Sequence, residues 1–353
     1  MKNVKKAMAL LLVLALAFGL AACSGGSNEP ADSGSETAER TDKLVLYTTQ
    51  PDSELERTVP LFEEKYGVKC EIITGGTGEL LARIDAEGDN PYCDVFYGGG
   101  ESSYTEYRHL FIDYVSPEDA NLNEEFRNTT GYVSNYCVDC AVFLVNNSLR
   151  DELGIEINGY EDLLQPELKG KIAMPDPVES GSALFHVEVI HTDMGGLNVD
   201  NEVAWDYIAK LYEQMGGFAS GSSAAWRSIV DGEKVVALSY EEPCVVAQRD
   251  GADVTVVYPE EGTCLSCTPC GIINNCANLE NAKLFVDFML SQEVQQIFVS
   301  ELDLRPVRDD VEYPDYFMPS TEIHSMHLDQ TYLNEHKTEI TDRCKDITAE
   351  VMK

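Results

Sequence analysis

The stretch KLVLYTTQPDS, residues 43–53, is the first of three segments in which a short apolar run ends in small and polar residues. The second run, residues 69–74, is followed by GGTGE, and the third, residues 93–97, is followed by GGGES. Helical patterns at 55–66 and 79–86 separate the three runs. Because strands that alternate with helices pair in parallel through right-handed crossovers, this stretch predicts an α/β fold built on a parallel sheet.

The loops after these three strands predict a binding site. Ligands of parallel sheets bind at the carboxyl ends of the strands. Each loop also leads into a predicted helix N-terminus, where free backbone N–H groups and the positive end of the helix dipole favour anions. Glycine also marks ordinary turns, but three such loops in register favour binding. The residues expected to contact the ligand here are Thr48, Thr49, Gly76, Thr77, Gly78, Gly99 and Gly100.

Two further corners of the same kind occur later in the chain. The turn-rich segment 175–183 brings Ser180, Gly181 and Ser182 to the start of a predicted helix. Another predicted helix opens with Ser222 and Ser223, after Gly221. Hydroxyl and backbone N–H donors at helix N-termini suit an anion. We therefore expect these residues, which belong to a second sheet, to bind the same ligand.

Residues 1–22 have the pattern of an export signal. A basic start precedes an apolar run, 7–20, that is too short to span a bilayer. The run ends in LAAC, which resembles the lipobox of bacterial lipoproteins, so we expect Cys23 to be lipidated and to anchor the protein to the membrane at the cell surface. The alternative is an ordinary secretory signal. Residues 23–42, which have no apolar periodicity, are expected to form a flexible tether.

The composition limits the functional classes. With a formal net charge of −37, the chain is expected to bind neither nucleic acid nor anionic lipid surfaces. The motifs G-x-S-x-G, H-E-x-x-H, G-x-x-x-x-G-K-[ST] and G-x-G-x-x-G do not occur in the sequence, and we expect no enzymatic activity and no cofactor. Trp205 and Trp226 lie in helical patterns and are expected in the core.

The eleven cysteines leave three interpretations open. The pattern Cys264-x-x-Cys267-x-x-Cys270 superficially resembles an iron–sulfur run, but such a run places its fourth cysteine three residues on and before a proline. Here Cys276 follows after five intervening residues and precedes alanine. A second pair, C-x-x-C at 137–140, would be needed for a zinc site. Disulfides or spare thiols, which an exported protein can hold, are favoured over a metal site and over redox activity.

Several short stretches, taken in their order and spacing, resemble a known family. They are similar to the solute-binding lipoproteins of bacterial ABC importers, in the group whose members bind ferric ion or phosphorylated small molecules such as 2-aminoethylphosphonate. The resemblance covers about residues 43–310. The matching stretches are LVLYT (44–48), GGTGELLARI (75–84), DVFYGGG (94–100), GKIA (170–173), DP (176–177), SGSA (180–183), YPEEGT (258–263), ENAK (280–283) and RPVR (305–308).

This resemblance implies the two-lobe type II fold of periplasmic binding proteins. Each lobe is then a mostly parallel sheet flanked by helices, with the first strand of lobe one between the second and the third. Two crossing strands, expected at 136–147 and 267–275, join the lobes, so that lobe one is 43–138 plus 269–353 and lobe two is 139–268. The family implies a monomer that closes on a small ligand by hinge motion. It also implies an ABC permease and its ATPase as partners.

The ligand class follows from the ferric-binding members of this family. They carry a histidine after the first strand, a glutamate after the third and adjacent tyrosines in lobe two. The corresponding places here are Gln50-Pro51, Gly98-Gly99 and Tyr240-Glu241, and no Tyr-Tyr pair occurs in the sequence. Neutral N–H and hydroxyl donors suit an anion better than iron(III). We therefore expect a phosphonate or organophosphate and no bound metal; a ferric-ion receptor and a surface sensor are the alternatives. Tyr240 and Glu241 are expected to hold the other end of the ligand, an ammonium group or hydroxyls.

Cysteines lie at the start of both expected crossing strands, and we expect a disulfide between the strands. Facing Cα atoms of paired strands lie about 4.5–5.5 Å apart, within the roughly 4.4–6.8 Å that a disulfide needs. One of Cys137 and Cys140 would therefore bond to one of Cys267 and Cys270.

Overall fold

The computed structural model describes residues 41–352 of the chain. The expected export signal at 1–22, the lipidation site Cys23 and the tether up to residue 40 lie outside the described residues. Within 41–352 the chain forms nine β-strands and eleven α-helices. None of the helices in this range combines the length and the apolar character that a membrane crossing needs.

Strands and helices alternate through the first lobe, as the sequence predicts. The strands are β1 (Lys43–Thr48), β2 (Lys69–Thr74), β3 (Val95–Tyr97), β4 (Ser134–Asn146), β5 (Ile172–Ala173), β6 (Val236–Tyr240), β7 (Val254–Val257), β8 (Thr263–Ile272) and β9 (Ser325–Met326). The helices are α1 (Asp52–Tyr66), α2 (Thr77–Glu87), α3 (Glu101–Glu106), α4 (Asn147–Leu153), α5 (Gly181–Asp193), α6 (Glu202–Met215), α7 (Ser222–Val230), α8 (Glu241–Arg249), α9 (Leu279–Met289), α10 (Gln292–Glu301) and α11 (Gln330–Val351).

Seven of the strands form one hydrogen-bonded path, in the order β2-β1-β3-β8-β4-β6-β5, to which β7 is added at β4 and β9 at β8. β1 lies between β2 and β3 and is parallel to both, which confirms the expected order. β5 and β6 are parallel, as are the short partners β8 and β9. β4 and β8 run antiparallel to each other. β4 is also antiparallel to β6 and β7, and β8 is antiparallel to β3. Parallel pairing is therefore less extensive than the sequence predicts, because the crossing strands reverse direction at the centre of the sheet.

The crossing strands are β4 and β8, close to the expected ranges 136–147 and 267–275. They pair with each other from Ser134 opposite Cys270 to Cys140 opposite Leu265. Beyond residue 140, β4 pairs with β6 and β7, while the far end of β8 pairs with β3. The pair thus joins a half built on β1–β3, lobe one, to a half built on β5–β7, lobe two.

Each lobe has its own hydrophobic core. In lobe one the centre of β1, residues 44–47, is apolar at every position because helices cover both faces of the sheet. Leu44 and Leu46 pack with Phe62 of α1 and with side chains of α9 and α10. On the opposite face Val45 and Tyr47 pack with side chains of α2. The main core of lobe two is formed by side chains of β4, β6, α5 and α6.

The C-terminal helix α11 packs differently from what the sequence predicts. We expected residues 269–353 to belong to lobe one, but Leu333, Ile340 and Ile347 of α11 lie in the core of lobe two. Arg343 also forms an ion pair with Glu202 of α6 at 2.9 Å. The assignment of this helix to lobe one is therefore wrong, because its apolar residues are buried against the other lobe.

Candidate functional site

In lobe one the loops that follow β1, β2 and β3 meet. The backbone N–H of Gly99 donates to the Thr49 hydroxyl at 3.0 Å, and a Cβ atom added to Gly99 would lie 3.0 Å from the methyl carbon of Thr77. The φ angles of Gly98 and Gly99 are +104° and +76°, values that favour glycine. The structure therefore brings together Thr49, Thr77 and Gly99, three of the predicted ligand residues.

The other predicted residues of lobe one surround this contact. Thr48 is buried, and its hydroxyl accepts the backbone N–H of Gln50 at 3.1 Å, so its side chain supports the loop from within. Gly76 and Gly100 are the N-cap residues of α2 and α3 and are exposed. A Cβ atom at Gly76 or Gly78 would meet nothing within 4 Å, so packing does not require glycine at either position.

In lobe two the N-termini of α5 and α7 meet through three serine hydroxyls. The oxygen of Ser222 lies 3.1 Å from that of Ser180 and 2.8 Å from that of Ser182, and the latter two are 3.1 Å apart. We call Ser180, Gly181, Ser182 and Ser222 the serine cradle. Neither helix has a side-chain cap, and the N–H groups of a first turn have no intrahelical acceptor. Two helix N-termini and three hydroxyl donors at one place suit a tetrahedral anion.

Tyr240 ends β6 and lines a cavity of about 280 Å³ between the lobes. Gln50 and Ser53 border this cavity from lobe one, and Asp139 and Thr268 border it from the crossing strands. Within residues 41–352 the Tyr240 hydroxyl has no hydrogen-bond partner, and burial raises the pKa of Tyr240 to about 12. Loops of both lobes therefore border one cleft at the hinge, as the predicted architecture requires.

Glu241, which we expected to hold the other end of the ligand, is engaged within the protein. It is 1% exposed, and it accepts hydrogen bonds from the Arg305 Nε atom at 2.8 Å, from the Arg305 Nη2 atom and from the Tyr258 hydroxyl at 2.5 Å. A buried carboxylate needs such partners, so Glu241 is not free to receive a ligand cation. Glu242, the next residue, lines the same cavity, and burial raises its pKa.

Two further carboxyl groups border the cavity and were not predicted as site residues; Glu54 is buried and Asp139 is partly buried. Asp139 accepts the backbone N–H groups of Cys140 at 2.9 Å and of Glu241 at 3.3 Å. Glu54 accepts a hydrogen bond from the Tyr97 hydroxyl. Burial raises the pKa of each carboxyl group to about 7. The sequence does contain a signal for Asp139, since it is the only charged residue of an otherwise largely apolar crossing strand.

The expected disulfide between the crossing strands is absent from the structure. All ten cysteines of the described residues are free thiols. The strands do pair, but Cys137 faces Thr268, Cys140 faces Leu265, and Cys267 faces Val138, so no two cysteines lie opposite each other. In the same part of the chain, no cluster of three or more His, Cys, Asp and Glu side chains is arranged to hold a metal ion.

Comparisons with known proteins agree with this geometry. A profile of the family described as bacterial extracellular solute-binding protein matches residues 91–321. An uncharacterized protein of Haemophilus influenzae is 30% identical over 275 residues, which are 76% of this chain and 78% of that protein.

Two solved structures have the same fold. The periplasmic binding protein AfuA from Actinobacillus pleuropneumoniae, solved with exogenous fructose-6-phosphate bound, is 27% identical with a TM-score of 0.70, over 86% of this chain and 98% of that chain. Iron-bound HitA from Pseudomonas aeruginosa is 22% identical with a TM-score of 0.71, over 87% of this chain and 99% of that chain. Because both matches extend over both lobes, they confirm the two-lobe α/β fold.

Proposed function

Because the chain belongs to the bacterial extracellular solute-binding proteins of ABC importers, we propose that it captures a small phosphorylated or phosphonate anion between its lobes. The anion is then delivered to a membrane permease that is driven by its ATPase. Proteins of this family carry solutes and are not enzymes. Lipidated Cys23 would keep the receptor at the outer face of the membrane, next to the permease.

The serine cradle is the observation that carries this proposal. Its three hydroxyls lie within 3.1 Å of one another, and each can turn to donate to an anion that enters among them. The uncapped N-termini of α5 and α7 add backbone donors and the positive ends of two helix dipoles. The fructose-6-phosphate bound to AfuA supports a phosphorylated solute for this chain too.

The same site argues against ferric ion as the solute. Iron(III) is best held by phenolate and carboxylate oxygens, but the places that correspond to the ferric ligands read Gln50-Pro51, Gly98-Gly99 and Tyr240-Glu241, with a single tyrosine and a single carboxylate. The one carboxylate among them is paired with the Arg305 guanidinium and is 1% exposed. The similarity to HitA, at 22% identity, concerns the fold and carries no ligand with it.

A thermal-shift screen of the purified mature protein tests the proposal. The panel contains phosphate monoesters, phosphonates, ferric citrate and polyamines. A ligand that binds the folded state at a hundredfold excess over its Kd raises the free energy of unfolding by about 2.7 kcal/mol. We expect this stabilisation from at least one phosphorylated or phosphonate compound. Stoichiometric uptake of iron with a tyrosinate charge-transfer colour would contradict the proposal.

A charge placed in the serine cradle distinguishes specific from nonspecific binding. In Ser222→Asp a carboxylate lies among the donors, and we expect the stabilisation by the best ligand to disappear. The matched control is Gly217→Asp, which adds the same charge at an exposed position where a Cβ atom meets nothing within 4 Å. If Ser222→Asp and Gly217→Asp behaved alike, the cradle would not be the binding site.

A further inference from the structure

Besides the cavity between the lobes, lobe two has a cavity of about 640 Å³ between α7 and α8. We call it the α7–α8 groove. Ser223, Trp226 and Val230 line it from α7, Pro243 and Val246 line it from α8, and Tyr240 lies at one end. Ligand pockets typically occupy about 300–1,000 Å³ and combine an apolar lining with a few polar groups. The groove has this size and this composition.

Two residues place the groove next to the proposed ligand site. Ser223 is the neighbour of Ser222, whose hydroxyl belongs to the serine cradle. Tyr240 lines both the groove and the cavity between the lobes. A solute that is bound by the cradle and passes Tyr240 would reach the groove with its other end.

The two aromatic side chains of the groove have unused hydrogen-bond donors. In the described part of the chain, neither the indole N–H of Trp226 nor the hydroxyl of Tyr240 has a partner. The other tryptophan, Trp205, is 2% exposed and donates its indole N–H to the Val199 carbonyl oxygen at 2.8 Å. Trp226 is only partly buried, although the sequence predicts it in the core. Its side chain packs on the core of lobe two from outside and leaves a surface towards the groove.

We infer that the solute carries a flat apolar or aromatic body beside its phosphate or phosphonate group, and that this body lies in the α7–α8 groove against Trp226 and Tyr240. The inference rests on the proposed function and adds the class of the organic part. Aromatic rings stack favourably in offset or edge-to-face contacts. Glu242 and Asp250 stand at the rim of the groove, so a neutral or cationic body is favoured over one that carries further negative charge.

Isothermal titration with two probes of equal charge tests the inference on the purified mature protein. Phenyl phosphate and ethyl phosphate share the phosphate monoester and differ in the body. We expect the Kd of phenyl phosphate to be about tenfold lower. Trp226→Ala should raise the Kd of phenyl phosphate about tenfold and that of ethyl phosphate less than threefold, and Trp226→Phe, which keeps an aromatic face, should restore most of the difference.

Tryptophan fluorescence gives an independent readout, because the chain has only two tryptophans. The emission that Trp226→Phe removes from the wild-type spectrum belongs to Trp226. Phenyl phosphate should shift or quench this component, and ethyl phosphate should leave it unchanged.

Three outcomes would overturn the inference. Equal affinities for the two probes would mean that the groove takes no part of the solute. An unchanged preference for phenyl phosphate in Trp226→Ala, or equal losses for both probes, would give Trp226 a purely structural role. If neither these probes nor any other phosphorylated compound bound, the proposed function would fall together with the inference, which separates that failure from the first two.

Discussion

Breaking the buried ion pair between Glu241 and Arg305 is expected to lower the free energy of unfolding by about 3–5 kcal/mol. Glu241 begins α8 in lobe two, and Arg305 follows α10 in lobe one, where its carbonyl oxygen accepts the backbone N–H of Val138 on β4 at 3.0 Å. The two side chains are 2% and 0% exposed. The variant Arg305→Met removes the guanidinium and leaves the Glu241 carboxylate in the protein interior with the Tyr258 hydroxyl and the Cys140 thiol as polar partners.

The size of the effect follows from burial. A buried charge that loses its partner keeps its full desolvation cost, whereas an exposed ion pair contributes about 0–1 kcal/mol. For a chain of this length, an unfolding entropy of about 2.1 cal/mol/K per residue converts the loss to a fall in Tm of about 4–7 °C. The matched control is Arg343→Met, which breaks the ion pair between Arg343 and Glu202. These two side chains are 45% and 68% exposed. It should cost less than about 1 kcal/mol.

Urea denaturation followed by far-UV circular dichroism measures these free energies. Glu241→Gln should also be strongly destabilising, because it leaves the Arg305 guanidinium without a counter-ion. The double variant Glu241→Gln/Arg305→Met should lose clearly less than the sum of the two single losses, with a coupling of about 0.5–3 kcal/mol. Additive losses, or an Arg305→Met variant as stable as Arg343→Met, would refute the reasoning.

Three further predictions concern the site, the pH dependence and the anchor. Gly99→Val should weaken binding of the best phosphorylated ligand by at least about tenfold, measured by calorimetry. A branched side chain at a φ of +76° is strained and would press on Thr77. The control Gly217→Ala, at an exposed position with no atom near the added Cβ, should bind the ligand normally. Because burial raises the pKa of Glu54 to about 7, the folded state holds this proton more tightly than the unfolded state, so the free energy of unfolding should fall by up to about 3 kcal/mol as pH rises from about 4.5 to 7. Urea titrations at several pH values should show a flatter dependence for Glu54→Gln, and an unchanged slope would mean that other groups cause it. Cys23→Ala should release the protein from the membrane fraction into the medium, and unchanged retention would exclude lipidation as the anchor.

The fold could be predicted to a large extent because its determinants are local. The run LVLY at 44–47 is apolar at every position, which is typical of a strand covered on both faces, and all four side chains are buried. The glycine at residue 67 ends α1 in the left-handed conformation, as the break in the helical pattern indicates. The parallel pairing of β1 to β3 followed from strands alternating with helices, and their order followed from the family resemblance. The packing of α11 on lobe two could not be predicted, because an amphipathic helix does not specify which of two apolar surfaces covers it.

The candidate site was predictable only at the level of single loops. Each serine of the cradle was recognisable as the start of a helix, but the contact between Ser180 and Ser222 joins residues far apart in the sequence. It depends on how lobe two places the N-termini of α5 and α7, whose side chains belong to different hydrophobic clusters. The pairing of Glu241 with Arg305 depends on tertiary structure in the same way, and it removes from the cleft a carboxylate that the sequence places there. The exact register of paired strands, on which the predicted disulfide depended, could not be predicted from the sequence. The crossing strands pair as expected, but Cys267 faces Val138 and not a cysteine.

The distribution of charges explains how so acidic a protein can be suited to an anion. At physiological ionic strength the field of exposed charges is screened within about 8 Å, so a net charge of −37 acts on a ligand mainly through the groups that border the cleft. Arg305, the cation that lines the cavity between the lobes, is already paired with Glu241. On the proposed function, the attraction comes from neutral donors: the hydroxyls of the serine cradle and the N–H groups of two helix N-termini. Such donors act over a hydrogen-bond distance and keep their orientation whatever the net charge, so an acidic surface and an anion site are compatible in one molecule.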